Sequence, residues 1–253
     1  MNIPGADAWS HTDTSSNGQS RGALCIHGFT GNPHSMRGIA EGFADAGFHV
    51  ELPRLPGHGT TIDDMLTTGW VDWTGEVEAA YQRLASRVDS VVVAGLSMGG
   101  ALTLWAALEH PEIAGIVCVN PATEPAPPEV IEMVQGMLDE GTTIMPGIGS
   151  DIADPDSSEN SYAGTPIAPL LQLMGGLGAM AHRYGELRMP MLLMTSEQDH
   201  VVDPDQSRHL FAAYGGYARH VWMTRSYHVA TLDYDRDLIV ERAVAFSREA
   251  CSA

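Results

Sequence analysis

The sequence predicts an α/β protein in which a mostly parallel β-sheet is covered by helices on both faces. Three observations support this class. Short apolar runs alternate with helical patterns along most of the chain, as in α/β folds. The 253 residues are 44% hydrophobic, which is enough to bury a substantial core. A Gly-x-Ser-x-Gly motif, from Gly95 to Gly99, stands where a predicted strand leads into a predicted helix.

The elements of the first half follow from composition and periodicity. The run SVVVAG at 90–95 is β-branched and apolar, which is typical of an interior strand of a parallel sheet. Gly47 follows a helical pattern and is expected to end that helix. The other predicted elements are a short strand near Trp9 in a loosely ordered arm at 1–20, strands at 23–27, 49–52 and 113–120, and helices at 33–46, 72–87 and 101–109.

The alternation is interrupted after residue 120. Residues 121–184 are rich in Pro and Gly, contain an acidic loop at 150–160, and include two Met- and Leu-rich helical pieces. Strands at 191–196 and 219–223 and helices at 204–214 and 235–249 then restore the pattern. We therefore predict a core formed by 1–121 and 186–253, with a cap inserted at 122–185. The cap should lie over the carboxyl ends of the strands, where active sites of such sheets collect.

Composition argues against several classes of partner. The net charge is −19, and all thirteen basic residues are Arg, so neither nucleic acid nor an anionic membrane surface is an expected partner. No apolar run approaches the roughly 18–20 residues that span a bilayer. The polar N-terminus does not resemble a signal peptide, so a soluble cytoplasmic protein without integral membrane association is expected. The oligomeric state, monomer or dimer, is left open.

Cysteine usage predicts neither disulfides nor a metal site. The three cysteines are widely spaced and none forms a CxxC pair. Cys25 and Cys118 lie in strand-like runs and are expected to be buried small hydrophobic residues.

Ser97, the central residue of the motif, is the candidate nucleophile. A sharp strand-to-helix turn would expose its hydroxyl above the sheet, and the flanking glycines would let neighbouring backbone pass closely. The residue also begins a helix, where free N–H groups favour negative charge. An accidental Gly/Ser turn is the alternative, and the strand before it and the helix after it argue against that alternative.

A serine nucleophile near neutral pH needs a base and an acid that orients the base. In this arrangement the acid follows a late strand and the histidine follows the last strand. Asp199 is the preferred acid; Glu197 is the fallback, and Asp203 before Pro204 is expected to cap the next helix. His228 is the only histidine after the last predicted strand and before the final helix.

Two backbone N–H groups are candidates for the oxyanion hole. One belongs to Met98, which follows the nucleophile. The other belongs to Phe29 in the loop HGFTG after the first central strand. Glycines on both sides of that loop would let its N–H groups turn inward, although a loop placed only for packing is the alternative.

These motifs together resemble the small bacterial carboxylesterase and monoacylglycerol lipase family of α/β hydrolases. HGFTGN, RLPGHG, DW, GLSMGG, SEQDHVVDP and SYHVATLDYD occur in that order and cover roughly 22–120 and 190–250. The resemblance implies a Ser97–Asp199–His228 triad, an oxyanion hole from Phe29 and Met98, and a small cap. No cofactor and no metal are expected. The acidic loop at 150–160 matches nothing in the family pattern, so substrate size and specificity stay open.

Apolar residues of the cap recur at spacings of three and four, which is typical of amphipathic helices. They would either pack on the core or line an acyl pocket, and the flexible Met side chains suit the second role. The candidate pocket residues are Ile131, Met133, Met137, Leu138, Leu170 and Met174.

The function expected from these residues is ester hydrolysis through an acyl-enzyme. Medium- or long-chain acyl esters such as monoacylglycerols are the expected small-molecule substrates. A thioesterase, a lactonase and a carbon–carbon bond hydrolase share the same triad and remain alternatives. Dehalogenases and soluble epoxide hydrolases are disfavoured because their nucleophile is Asp. A non-catalytic ligand-binding homologue is a further alternative, disfavoured because every triad member is present.

Overall fold

A computed structural model describes residues 3–13, 20–147 and 149–252. Of the predicted arm at 1–20, residues 1, 2 and 14–19 lie outside the described residues. The strands are β1 (Trp9–His11), β2 (Arg21–Ile26), β3 (His49–Leu52), β4 (Ser90–Leu96), β5 (Gly115–Val119), β6 (Ile144–Pro146), β7 (Gly164–Pro166), β8 (Met191–Ser196) and β9 (Ala218–Met223). The α-helices are α1 (Arg37–Asp45), α2 (Ile62–Met65), α3 (Trp70–Ala85), α4 (Met98–Glu109), α5 (Pro128–Asp139), α6 (Ile167–Met180), α7 (Pro204–Ala213) and α8 (Arg236–Ala250).

Seven strands form the main sheet in the order β1-β3-β2-β4-β5-β8-β9. Only the β1–β3 pair is antiparallel; the other neighbours are parallel. The central strands β4 and β5 are buried on both faces, which explains their continuous apolar sequences. This is the α/β-hydrolase fold, and the predicted fold class is confirmed.

Two apolar cores lie on opposite faces of the sheet. On one face α3 and α4 contribute Trp73, Val77 and Leu102 to the core. On the other face α1 and α8 contribute Phe43 and Phe246. The helices therefore cover both faces as predicted, and the carboxyl ends of the strands remain at one edge to carry the site.

Most predicted elements are present with bounds shifted by a few residues, and at α4 the shift involves two glycines. Helix α4 begins at Met98, three residues before the expected start at 101. Gly99 and Gly100 are poor helix formers, so propensity alone places the start after them. In the structure both belong to the first helical turn, where Ile26 and Pro121 leave no room for a side chain.

The proposed cap, residues 122–185, contains α5, α6 and a short antiparallel hairpin formed by β6 and β7. Both helices fall on the two predicted helical pieces, whereas the hairpin was not predicted. Helix α6 packs closely on the core, because a β-carbon on Gly176 would lie 2.3 Å from the ring of Trp70. The cap is thus seated on the N-terminal end of α3.

Cys25 and Cys118 are free and fully buried, as predicted. Burial raises the pKa of both thiols, so neither is a reactive thiolate. Among the described residues no helix is both long enough and apolar enough to span a bilayer.

Candidate active site

Ser97 lies on the sharp turn between β4 and α4, as the motif predicts. Its backbone has φ 56° and ψ −119°, a conformation that costs a non-glycine residue about 1–3 kcal/mol. The turn is held on both sides: the Ser97 N–H donates to the carbonyl of Val119 (3.0 Å), and its carbonyl accepts from the N–H of Ala122 (3.2 Å). The surrounding backbone therefore maintains the strained conformation that presents the hydroxyl.

The glycines of the motif are required by close backbone contacts. A β-carbon on Gly95 would lie 2.0 Å from the carbonyl oxygen of Gly99. A β-carbon on Gly99 would lie 2.1 Å from the carbonyl oxygen of Ile26, at the end of β2. The turn can therefore fit between β2 and its own helix only if both positions lack a side chain.

Asp199 and His228 come together at the same edge, after β8 and β9 respectively. Their side chains are 1% and 8% exposed, and His228 Nδ1 lies 2.7 Å from Asp199 Oδ2. An ionised carboxylate only accepts, so Nδ1 carries the proton and Nε2 is left without one. The second oxygen, Oδ1, accepts from the N–H groups of Val201 and Val202 (2.9 Å each). This arrangement fixes the carboxylate, the ring orientation and the tautomer.

The two alternative acids lie elsewhere. Asp203 caps α7 and accepts a hydrogen bond from the N–H of Asp205 (2.9 Å), as predicted for a residue before Pro204. Glu197 is exposed at the end of β8. Of the three carboxylates in this stretch, only Asp199 contacts the imidazole of His228.

The candidate oxyanion donors flank Ser97. Phe29 lines the same cavity as Ser97, and the N–H of Met98 belongs to the first turn of α4, where N–H groups lack partners within the helix. His27, two residues before Phe29, holds the loop in place: its Nδ1 donates to the carbonyl of Gly28 (3.0 Å) and its Nε2 accepts from the N–H of Leu55 (3.1 Å). Burial, and then the nearby His58, lowers the pKa of His27 well below its usual value, which keeps this neutral tautomer.

A cavity of about 220 Å³ opens above Ser97 and His228. Leu170 is the one candidate pocket residue that lines it. The other five candidates do not line this cavity: Ile131 and Met133 are exposed, at 36% and 60%, and Met137, Leu138 and Met174 are half-buried elsewhere. Helix α5 instead buries Val134. The helix was therefore predicted correctly, but the residues chosen from it for the pocket lie on its other faces.

The remaining lining residues come mainly from the hairpin, the acidic loop and the loop after β8. The apolar ones are Ala122, Met145, Tyr162, Leu173, Val201, Val202 and Val229, and the polar ones are Thr30, Asp151, Glu159, Ser161 and Thr165. Leu173 belongs to the apolar pattern of α6, whereas most of the others lie in loops or three-residue strands that carry no periodic signal.

Glu159 places a half-buried carboxylate in this cavity. Burial raises its pKa, while the charge of His228 and a hydrogen bond from Ser161 act in the opposite direction. The carboxylate packs over the oxyanion loop, since a β-carbon on Gly31 would lie 2.7 Å from Glu159 Oε1. The apolar cavity therefore has one strongly polar end beside the histidine.

Asn120 is a second residue that the sequence analysis missed. It follows β5 with a positive φ of 43° and is 1% exposed. Its Nδ2 donates to Ser196 Oγ (3.0 Å) and to the carbonyl of His228 (2.7 Å), and its Oδ1 accepts from the N–H of Ser196 (2.7 Å). The side chain thereby joins the ends of β5 and β8 to the histidine loop. An Asn directly after a central strand was the available signal.

The sequence is similar to those of known hydrolases. The sequence model of the family described as serine aminopeptidase, S33, matches residues 18–235. A thermostable monoacylglycerol lipase of Bacillus sp. (strain H-257) is 42% identical over 228 residues, 89% of each chain. A carboxylesterase of Bacillus subtilis (strain 168) is 26% identical over 231 residues, 90% of this chain and 93% of the relative.

The fold is also similar to those of solved structures. A structure from the metagenome-derived lipolytic enzymes LipS and LipT superposes with a TM-score of 0.90 at 40% identity, and the match covers 98% of this chain and 100% of that one. A monoacylglycerol lipase of Paleococcus ferrophilus has a TM-score of 0.72 at 17% identity, with 90% and 94% of the two chains covered, a likeness that shows the fold.

Proposed function

The chain belongs to the serine aminopeptidase S33 family of α/β hydrolases, and we propose that it is a serine hydrolase that cleaves carboxylic esters. Its substrates are medium- or long-chain acyl esters such as monoacylglycerols. The relatives at 42% and 26% identity are named as a monoacylglycerol lipase and a carboxylesterase, which supports ester over peptide substrates. One observation carries the proposal. Asp199 and His228 form a buried 2.7 Å hydrogen bond, and His228 lines the same cavity as the strained Ser97.

In the proposed mechanism Ser97 Oγ attacks the ester carbonyl carbon while His228 Nε2 takes the hydroxyl proton. The N–H groups of Phe29 and Met98 donate to the resulting oxyanion. Collapse breaks the bond to the alcohol oxygen, which receives the proton from His228, and leaves an acyl group on Ser97. Water then attacks the acyl carbon with His228 as its base, which releases the carboxylic acid. Asp199 stays ionised and stabilises the imidazolium in both steps.

The lining of the cavity suggests how the two halves of the ester are bound. Leu170, Leu173 and Met145 offer an apolar surface to the acyl chain. Glu159 lies next to the histidine that protonates the leaving alcohol, so its carboxylate can accept hydrogen bonds from further hydroxyls of that alcohol. This arrangement favours esters of polyols such as glycerol.

A substrate panel tests the proposal. Hydrolysis of 1-monoacylglycerols and of p-nitrophenyl esters of increasing acyl length is measured beside that of amino-acid p-nitroanilides, the substrates of an aminopeptidase. We expect turnover of the esters, and a loss of at least about 10³-fold in the Ser97→Ala variant. Hydrolysis of the anilides without the esters contradicts the proposal.

A cytoplasmic location, consistent with three free buried cysteines, stays a prediction.

A further inference from the structure

We propose that Asp151, in the acidic loop of the proposed cap, is a positioning residue that sets the place of His228 relative to Asp199. The inference rests on the proposed function, in which His228 is the base. Residues 150–162, which we term the strap, run along the open edge of the site between the histidine loop and the oxyanion loop.

Asp151 contacts the loops of both the acid and the base. Its Oδ2 accepts from the backbone N–H of His228 (3.0 Å) and from that of His200 (3.1 Å), the residue directly after Asp199. Its Oδ1 accepts from His200 Nδ1 (2.8 Å), and its own carbonyl accepts from the N–H of Val229 (3.0 Å). One carboxylate thus joins the backbone beside Asp199 to the backbone of His228.

The pKa of Asp151 agrees with this role. Burial raises it, but the hydrogen bonds from the His200 ring and from the backbone N–H groups of His228 and His200 outweigh burial and hold the pKa below its ordinary value. The side chain is 12% exposed, so water competes little for its oxygens.

Asp233 makes the reciprocal contact from the histidine loop to the strap. It is fully buried, and its two oxygens accept four backbone N–H groups. Two come from the strap, at Ala153 (2.7 Å) and Asp154 (3.0 Å), and two from the histidine loop, at Tyr227 (2.9 Å) and Tyr234 (2.8 Å). Each segment therefore supplies a carboxylate to the backbone of the other.

The far end of the strap is anchored to the oxyanion loop. The N–H of Tyr162 donates to the carbonyl of Thr30 (3.1 Å), and its hydroxyl donates to the carbonyl of Gly57 (2.7 Å). Asn32 Nδ2 also donates to the carbonyl of Asn160. Because both ends are attached, the strap holds the histidine side and the oxyanion side of the site at a fixed separation.

Removal of the Asp151 charge should change the pH dependence of kcat/KM, which a mere loss of packing would not change. Three carboxylates lie around His228: Asp199 at Nδ1, Asp151 at the backbone N–H, and Glu159, which lines the same cavity. Each stabilises the imidazolium, so loss of one favours the neutral base. The acidic limb of the kcat/KM profile then moves to lower pH.

The test compares Asp151→Asn with Asp156→Asn, the same change at an exposed position of the same strap. Activity toward a p-nitrophenyl ester is normalised to the sites labelled by a fluorophosphonate, which removes the effect of any unfolded fraction. For Asp151→Asn we expect kcat to fall about 10- to 100-fold with KM changed by less than about threefold, and the acidic limb to move to lower pH. Asp156→Asn should behave as wild type.

A second variant, His200→Gln, removes the imidazole that donates to Asp151 Oδ1, at a side chain that is 58% exposed. The edge contact of that ring with Tyr227 is lost as well. We expect a smaller change in the same direction. The proposal is overturned if Asp151→Asn has the kcat of the wild type and the acidic limb of its pH profile does not move. If Asp151→Asn does not fold, the same result in His200→Gln overturns the proposal. Failure of the proposed function differs from both outcomes, because the wild type itself then shows neither labelling nor ester turnover.

Discussion

Three carboxylates surround His228, and each has a different partner. Asp199 binds the imidazole, Asp151 binds the backbone N–H, and Glu159 lines the same cavity and interacts with the histidine through its charge. Preorganised negative charge beside a base that becomes an imidazolium lowers the barrier without any rearrangement during the reaction. At the scale of single residues, the site is thus built to stabilise a positive charge on His228 and a negative charge beside Ser97.

Glu159 yields a prediction about the alcohol half of the substrate. The quantity to compare is kcat/KM for a monoacylglycerol divided by kcat/KM for a p-nitrophenyl ester of the same acyl chain. In Glu159→Gln this ratio should fall about tenfold, because a charged acceptor of the glycerol hydroxyls is replaced by a neutral one. Steady-state kinetics on both esters measures the ratio. Glu140→Gln, the same change at an exposed residue of the cap, is the control. An equal loss on both esters contradicts a role in binding the alcohol.

The turn between β4 and α4 yields a prediction at the scale of elements. Gly99→Ala should abolish activity and lower the melting temperature, because its β-carbon would meet the carbonyl oxygen of Ile26 at 2.1 Å. Gly136→Ala in α5 is the matched control: nothing lies within 4 Å of its β-carbon, so the variant should gain up to about 1 kcal/mol of stability from helix propensity. Calorimetry and ester turnover check both. An active, stable Gly99→Ala contradicts the packing account of the motif.

The strands and helices of the core could be predicted because their signals are local. The strands at His49–Leu52 and Met191–Ser196 have the predicted bounds. The β6–β7 hairpin could not be predicted, since each of its strands has only three residues and each contains or ends at a proline.

The candidate triad could be predicted from chain order, whereas its supports could not. Asp151 and His228 are 77 positions apart, and no pattern within the strap indicates that contact. The prediction of the residues that line the pocket was mostly wrong for a related reason. Periodicity identifies a helix with an apolar stripe but not the neighbour that the stripe faces, so only Leu170 among the six candidates lines the cavity.

Two buried histidines affect the stability of the whole molecule. Burial lowers the pKa of His58 to about 4 and that of His27 well below its usual value. The unfolded chain binds these protons near pH 6.5 and the folded chain does not, so the unfolding free energy decreases as the pH falls from about 6.5 toward 4. For His58 the loss is on the order of 3 kcal/mol over that range.

A difference measurement isolates this effect from the titration of the many surface carboxylates. His58→Asn removes the titrating ring, so its melting temperature should approach or exceed that of the wild type as the pH falls from 7 to 4.5. Calorimetry of both proteins at matched ionic strength gives the gap at each pH. A gap that stays constant across this range contradicts a neutral buried His58.

The central claim is that Ser97 forms a covalent acyl-enzyme with the help of His228. Rapid quenching of a p-nitrophenyl ester reaction, followed by intact-mass and peptide analysis, tests it most directly. We expect one acyl adduct per chain on Ser97, formed in a burst equal to the enzyme concentration, and no adduct or burst in Ser97→Ala. An adduct at another residue, or a Ser97→Ala variant with wild-type burst and turnover, would contradict it.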